Sequence, residues 1–156
     1  MAASSWQKNK LYILLSDRNN PGTFHWGLYL TEDDPHGGYI FHAVDEGGVW
    51  KLDCRHSKTV IASRRLLVAI EVGEDAEGMR EHVANAAQEA ARKAIVNCRV
   101  FAKDCLALLG QMGVITIMKD VDAIEEEAKT LGQLNDPTLN PAASGRSKVQ
   151  KSRMSS

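Results

Sequence analysis

The chain has 156 residues, of which 44% are hydrophobic and 25% charged, and a formal net charge of −1. That length makes one domain with a core of its own, and the composition is that of an ordinary soluble globule. A charge so close to zero excludes a global field that would draw in nucleic acid or an anionic membrane, and no apolar run approaches the ~18 residues a membrane span needs.

The charge is unevenly spread. From Pro137 to Ser156 there are four basic residues, Arg146, Lys148, Lys151 and Arg153, and no acid. Taking those four charges out of the total of −1 leaves −5 on residues 1–136, an acidic body with a basic tail. The opening "MAASSWQKNK" has no apolar core of the kind a signal peptide requires, so the expected compartment is the cytoplasm. Cys54, Cys98 and Cys105 are an odd number at irregular spacing, which argues against a disulfide framework, and no CxxC pair suggests zinc.

"KLYILL", Lys10 to Leu15, is a short apolar run that ends in the turn "SDRNNPGT". "FHWGLYLT", Phe24 to Thr31, alternates over eight residues and predicts a strand. Phe24, Trp26, Leu28 and Leu30 take one face of it, and His25, Gly27, Tyr29 and Thr31 the other. "EDDPHGG" breaks the chain, "YIFHAV" from Tyr39 returns as the second strand of a hairpin, "DEGG" turns, and "VWKLDC" makes a third strand. "RLLVAIEV", Arg65 to Val72, reads as a buried strand. From Asp75 to Ile95 alanine and long straight side chains predict a helix. Asn97 can cap a second, from Cys98 to about Leu109, and "DVDAIEEEAKTLG" predicts a third over 119–131. The remainder, residues 133–156, has little to bury and reads as a disordered basic tail. The expected organisation is an N-terminal segment over 1–9, an α+β domain over 10–132, and that tail.

Cys98 is the residue on which function turns. With Asn97 as the cap, its thiol sits at the first helical position, where unsatisfied N–H groups and the positive end of the helix dipole favour a thiolate, and a backbone N–H there can serve an oxyanion. The competing reading is structural, because Cys98, Phe101, Cys105 and Leu108 form one apolar stripe. A nucleophilic thiol needs a base. Of the five histidines, His36 lies in a turn, His56 in a loop-like stretch and His82 in a charged helix, whereas His25 and His42 each sit inside an apolar strand. Paired as a hairpin, those strands can bring both imidazoles to one face, one as base and one orienting it; if His42 points the other way, Asp45 just past the same strand is the replacement.

"HWGLYL" at 25–30, "YIFHA" at 39–43 and "NCRVFAKDCLALL" at 97–109 occur in the order seen in the lecithin–retinol acyltransferase-like proteins, which belong to the NlpC/P60 superfamily of papain-like folds. The chain resembles these over roughly residues 10–115. The resemblance implies a circularly permuted papain-like domain, an antiparallel sheet packed against helices, with Cys98 as nucleophile, His25 as general base and His42 as the third, polarising residue. The His…Asn-Cys order and the helix that follows also resemble the PPPDE family of deubiquitinating and deSUMOylating peptidases, and the run through Ile115 resembles uncharacterised fungal proteins of the superfamily. Two features depart from the acyltransferases: the "TEDDPHGG" loop is longer, and nothing after Leu109 resembles their C-terminal hydrophobic anchor.

The expected function is a cysteine-dependent hydrolase or acyl transferase working through an acyl-thioester on Cys98. It would use no metal or organic cofactor, act on a peptide, isopeptide, amide or lipid ester, and have no nucleic-acid partner. The alternative is a catalytically silent papain-like domain that serves as a binding module.

Overall fold

The computed structural model describes residues 6–18, 22–74 and 78–156. Alternation in the first half of the chain becomes a sheet: β1 (Lys10–Asp17), β2 (Phe24–Thr31), β3 (Gly38–Glu46), β4 (Val49–Ser57) and β5 (Leu66–Glu74). The alanine-rich half becomes α1 (Met79–Ala91) and α2 (Cys98–Gln111), followed by α3 (Val121–Asn135) and a short β6 (Val149–Lys151). The strand order is β4-β3-β2-β1-β5-β6. The first five strands pair antiparallel and β6 adds to β5 in parallel, so the sheet is mixed rather than wholly antiparallel. The architecture is α+β. Expected positions 19–21 of the first turn and 75–77 of the first helix lie outside the described residues.

The two faces of the sheet bury different things. Leu11, Ile13, Leu15, Phe24, Trp26, Leu28 and Phe41 join the inner faces of the helices in the main core, together with Cys98, Phe101 and Cys105. This matches the period-2 expectation for β2, and it is the burial of that face that fixes the register. The opposite face carries a smaller cluster of Tyr12, Leu14, Tyr29, Ile40 and Val149. Trp6 covers it, edge-on to Tyr12 at 4.9 Å and to Tyr29 at 5.7 Å, so the segment before β1 acts as a lid on the second face.

The tail is a correction. Residues 133–156 are ordered and belong to the body: α3 runs through the expected boundary to Asn135, and the chain then folds back along β5. Val149 and Ala143 are buried, but most of the attachment is made by polar residues that satisfy backbone groups. Asn135 Nδ2 donates to the Leu67 and Ser147 carbonyls at 2.9 and 3.0 Å, and the Ser155 hydroxyl donates to the Val72 carbonyl at 2.7 Å. Thr116 and Ser156 exchange backbone hydrogen bonds at 2.7 and 3.0 Å. A composition poor in apolar residues signals no core contribution, but it does not exclude this kind of attachment. Among the described residues no helix is long and apolar enough to cross a membrane.

Candidate active site

The site begins with a split in the sheet. β3 pairs with β2 only over Leu28–Thr31, leaving Phe24–Gly27 of β2 paired with β1 but not with β3. The N-terminus of α2 meets that unpaired edge. Asn97 has an extended backbone, and its Oδ1 accepts the Val100 N–H at 2.8 Å, which fixes where the helix starts. Cys98 is therefore at the first helical position. Its own N–H and that of Arg99 precede the first intrahelical hydrogen bond.

The Cys98 sulfur lies against the open edge of β2. The Trp26 N–H donates to it at 3.5 Å, and the thiol approaches the Phe24 carbonyl at 3.9 Å, the backbone groups on either side of His25. Arg18 Nη1 stands 3.9 Å from the same sulfur. Cys98 is only 1% exposed, yet it contributes to the wall of a cleft of about 410 Å³. Among the described residues no hydrogen bond joins the sulfur to the His25 ring.

The two strand histidines do meet. His25 Nε2 is 2.8 Å from His42 Nδ1, with the rings edge-on at 75°. Gly27 lies against His42, where a Cβ would stand 3.3 Å from His42 Cβ, a tight contact that glycine avoids. His42 Nε2 in turn is 2.8 Å from Asp53 Oδ2, and that oxygen also accepts from Arg55 Nε at 3.0 Å. The result is a chain His25–His42–Asp53, ending at a carboxylate that is about one-third exposed.

Asp53 enters the site only through the β3–β4 pairing, which sets it opposite His42. Asp45, the carboxylate considered instead, closes the β3–β4 turn by accepting the Gly48 N–H at 2.8 Å. His36 and His56 pair elsewhere, with Asp34 and Glu32, both at 2.9 Å. Cys105 is fully buried, and burial pushes its thiol up to about 12. Cys54 is exposed on β4, but partial desolvation and the adjacent Asp53 push its thiol up to about 11. Neither is placed as a nucleophile. A larger groove, about 810 Å³, lies between α3 and the C-terminal residues, but neither Cys98 nor the strand histidines line it. No group of three or more His, Cys, Asp or Glu among the described residues is arranged to hold a metal ion.

Electrostatics assign the protons. Burial, then the neighbouring His42 and Arg18, lower His25 from 6.5 to about 4. Burial also lowers His42, although Asp53 partly opposes it. Partial burial would raise the Asp53 carboxyl, but hydrogen bonds from His42 and Arg55 outweigh this and hold it below the usual carboxylate range. Both rings are thus neutral near pH 7 and the carboxylate is ionised. A carboxylate only accepts, so His42 Nε2–H donates to Asp53. His42 Nδ1 is then the acceptor, and His25 Nε2–H donates to it. The lone pair of His25 falls on Nδ1, to which no described group donates.

The same shifts give a pH prediction. The unfolded chain binds protons at these histidines near 6.5, while folded His25 resists protonation down to about 4. Their contribution to stability is present above about 6.5 and is lost as pH falls toward 4. Urea unfolding midpoints should fall across that window, and the double variant His25→Gln/His42→Gln should fall less steeply. Equal slopes would mean that other groups carry those protons.

The chain matches no protein-family model, no curated protein and no solved structure.

Proposed function

We propose that the protein is a cysteine-dependent hydrolase or acyl transferase of the permuted papain-like kind, with Cys98 as nucleophile, His25 as base, and His42 and Asp53 as positioning residues. The observation that carries this reading is the His25–His42–Asp53 chain, which leaves the lone pair of His25 on Nδ1, together with the Cys98 sulfur bound to the backbone of Phe24 and Trp26 on either side of His25. The alternation of the strand puts Phe24 and Trp26 on the helical side with Cys98, and His25 on the other; in this reading the unpaired stretch of β2 beside β3 is where thiol and imidazole meet during the reaction.

In the reaction, the sulfur leaves its backbone contacts and gives its proton to His25 Nδ1. The sulfur–carbon bond forms as the carbonyl electron pair moves onto oxygen, where the N–H groups at the start of α2 receive the charge. Collapse breaks the bond to the leaving group, which takes the proton from His25. Water or another acceptor then resolves the thioester. The substrate is a peptide, isopeptide, amide or lipid ester.

A second reading, a silent binding domain, is favoured by the burial of Cys98 and by its bonding to backbone rather than to imidazole. Thiol labelling separates the two. Near pH 6, iodoacetamide should alkylate Cys98 well ahead of Cys54 and Cys105, as read by mass spectrometry of the digested protein. If Cys98 stays as inert as Cys105 in the folded protein, the binding reading replaces the catalytic one.

A further inference from the structure

We propose that the substrate of this site carries a carboxylate beside the carbonyl that Cys98 attacks; the inference rests on the thiol mechanism above. Among the described residues the cleft at Cys98 is lined by three cations, Arg18, Arg99 and Lys129, and by no acid. The rest of its wall is neutral, with Phe24 and Trp26 among it. On a chain with a net charge of −1, three cations around one thiol with no acid between them is a marked departure from the mean.

The three cations are not equivalent. Arg99 Nη1 donates to Glu125 Oε2 at 2.6 Å, and Lys103 Nζ donates to the other oxygen of that buried carboxylate at 2.7 Å. This ties α2 to α3, and Glu125 itself does not line the cleft. Lys129 makes a loose pair with Glu126 at 3.6 Å. Arg18 takes part in none of the described ion pairs, and its guanidinium reaches the reacting sulfur itself. One guanidinium beside the nucleophile matches one carboxylate, and its planar fork binds that group through two parallel N–H bonds. Arg99 and Lys129 add a positive field around it.

The test compares an anionic and a neutral alkylating agent on the same thiol. The ratio of the iodoacetate rate to the iodoacetamide rate at Cys98 cancels the thiolate fraction, which both reagents share. Relative to the same ratio for glutathione, Cys98 should favour iodoacetate by roughly tenfold at about 0.02 M salt, and this preference should collapse at about 0.5 M. Arg18→Gln should bring the ratio to within about twofold of glutathione, Arg18→Lys should retain part of it, and Lys129→Gln should lower it partially. Succinate should protect Cys98 from iodoacetamide more strongly than inorganic phosphate does. Labelling by iodoacetamide with a glutathione-like ratio, or a ratio that Arg18→Gln leaves unchanged, overturns the carboxylate while leaving the nucleophile intact. Protection by phosphate alone also overturns it. Failure of both reagents at Cys98 removes the thiol mechanism and this inference with it.

Discussion

Deleting residues 147–156 is expected to lower stability by at least about 3 kcal/mol and the melting temperature by roughly 10 °C. The segment removes β6 from β5, including the bond from Ala69 N–H to the Lys148 carbonyl at 2.7 Å and that from Ser152 N–H to the Glu71 carbonyl at 2.9 Å. It also removes the Ser155 hydroxyl from the buried Val72 carbonyl and the backbone exchange between Thr116 and Ser156. Val149, 8% exposed, leaves the second-face cluster, and β5 becomes an edge strand. Groups left buried without partners make the loss larger than the net worth of the bonds. Thermal melts of the deletion and of Ser155→Ala, which should cost about 1 kcal/mol, check this in graded steps. A deletion variant that melts within about 2 °C of the full chain would show that the segment is not attached in solution.

That segment and the site illustrate what a sequence exposes. Strands β2 to β5 are legible from burial: where one face is buried residues alternate, and where both faces are covered, as in β5, the apolar run is continuous. α2 is legible from its cap, since Asn97 followed by an apolar stripe is a helix start with a stated mechanism. The last strand is not legible, because "VQK" carries no pattern of its own and is defined by the edge it meets. Asp53 was legible in principle. Gly47 and Gly48 both take positive φ, 62° and 87°, as the two residues of a tight hairpin turn. A two-residue turn there sets Glu46 opposite Val49, and counting back four pairs sets His42 opposite Asp53, which is the register found. Arg18 lacks even that signal. It lies 80 residues from Cys98 in a turn, and only the placement of α2 against the start of β2 brings the two together.

The largest functional effects are expected at the ends of the chain of contacts around Cys98. With an activated ester such as p-nitrophenyl acetate as substrate, Cys98→Ser and His25→Ala should each reduce turnover by at least roughly a thousandfold, and the double variant should be no worse than either. Non-additivity follows because the thiol and its base perform one step together. His42 and Asp53 act through His25, so their variants should separate activity from folding. His42→Gln keeps a polar contact and should cost less than His42→Ala. Asp53→Asn is the sharper probe. Its amide can donate to His42 Nε2, which forces the proton of His42 onto Nδ1 and that of His25 onto its own Nδ1, removing the lone pair that takes the thiol proton. A loss of about 10²- to 10⁴-fold is expected, with urea stability changed far less. Nitrogen NMR of the imidazoles should report the tautomer change directly, independent of any substrate. If Asp53→Asn leaves the tautomers and the turnover unchanged, the carboxylate is a surface partner of Arg55 and the relay ends at His42. If Cys98→Ala retains full turnover, the thiol mechanism itself is wrong.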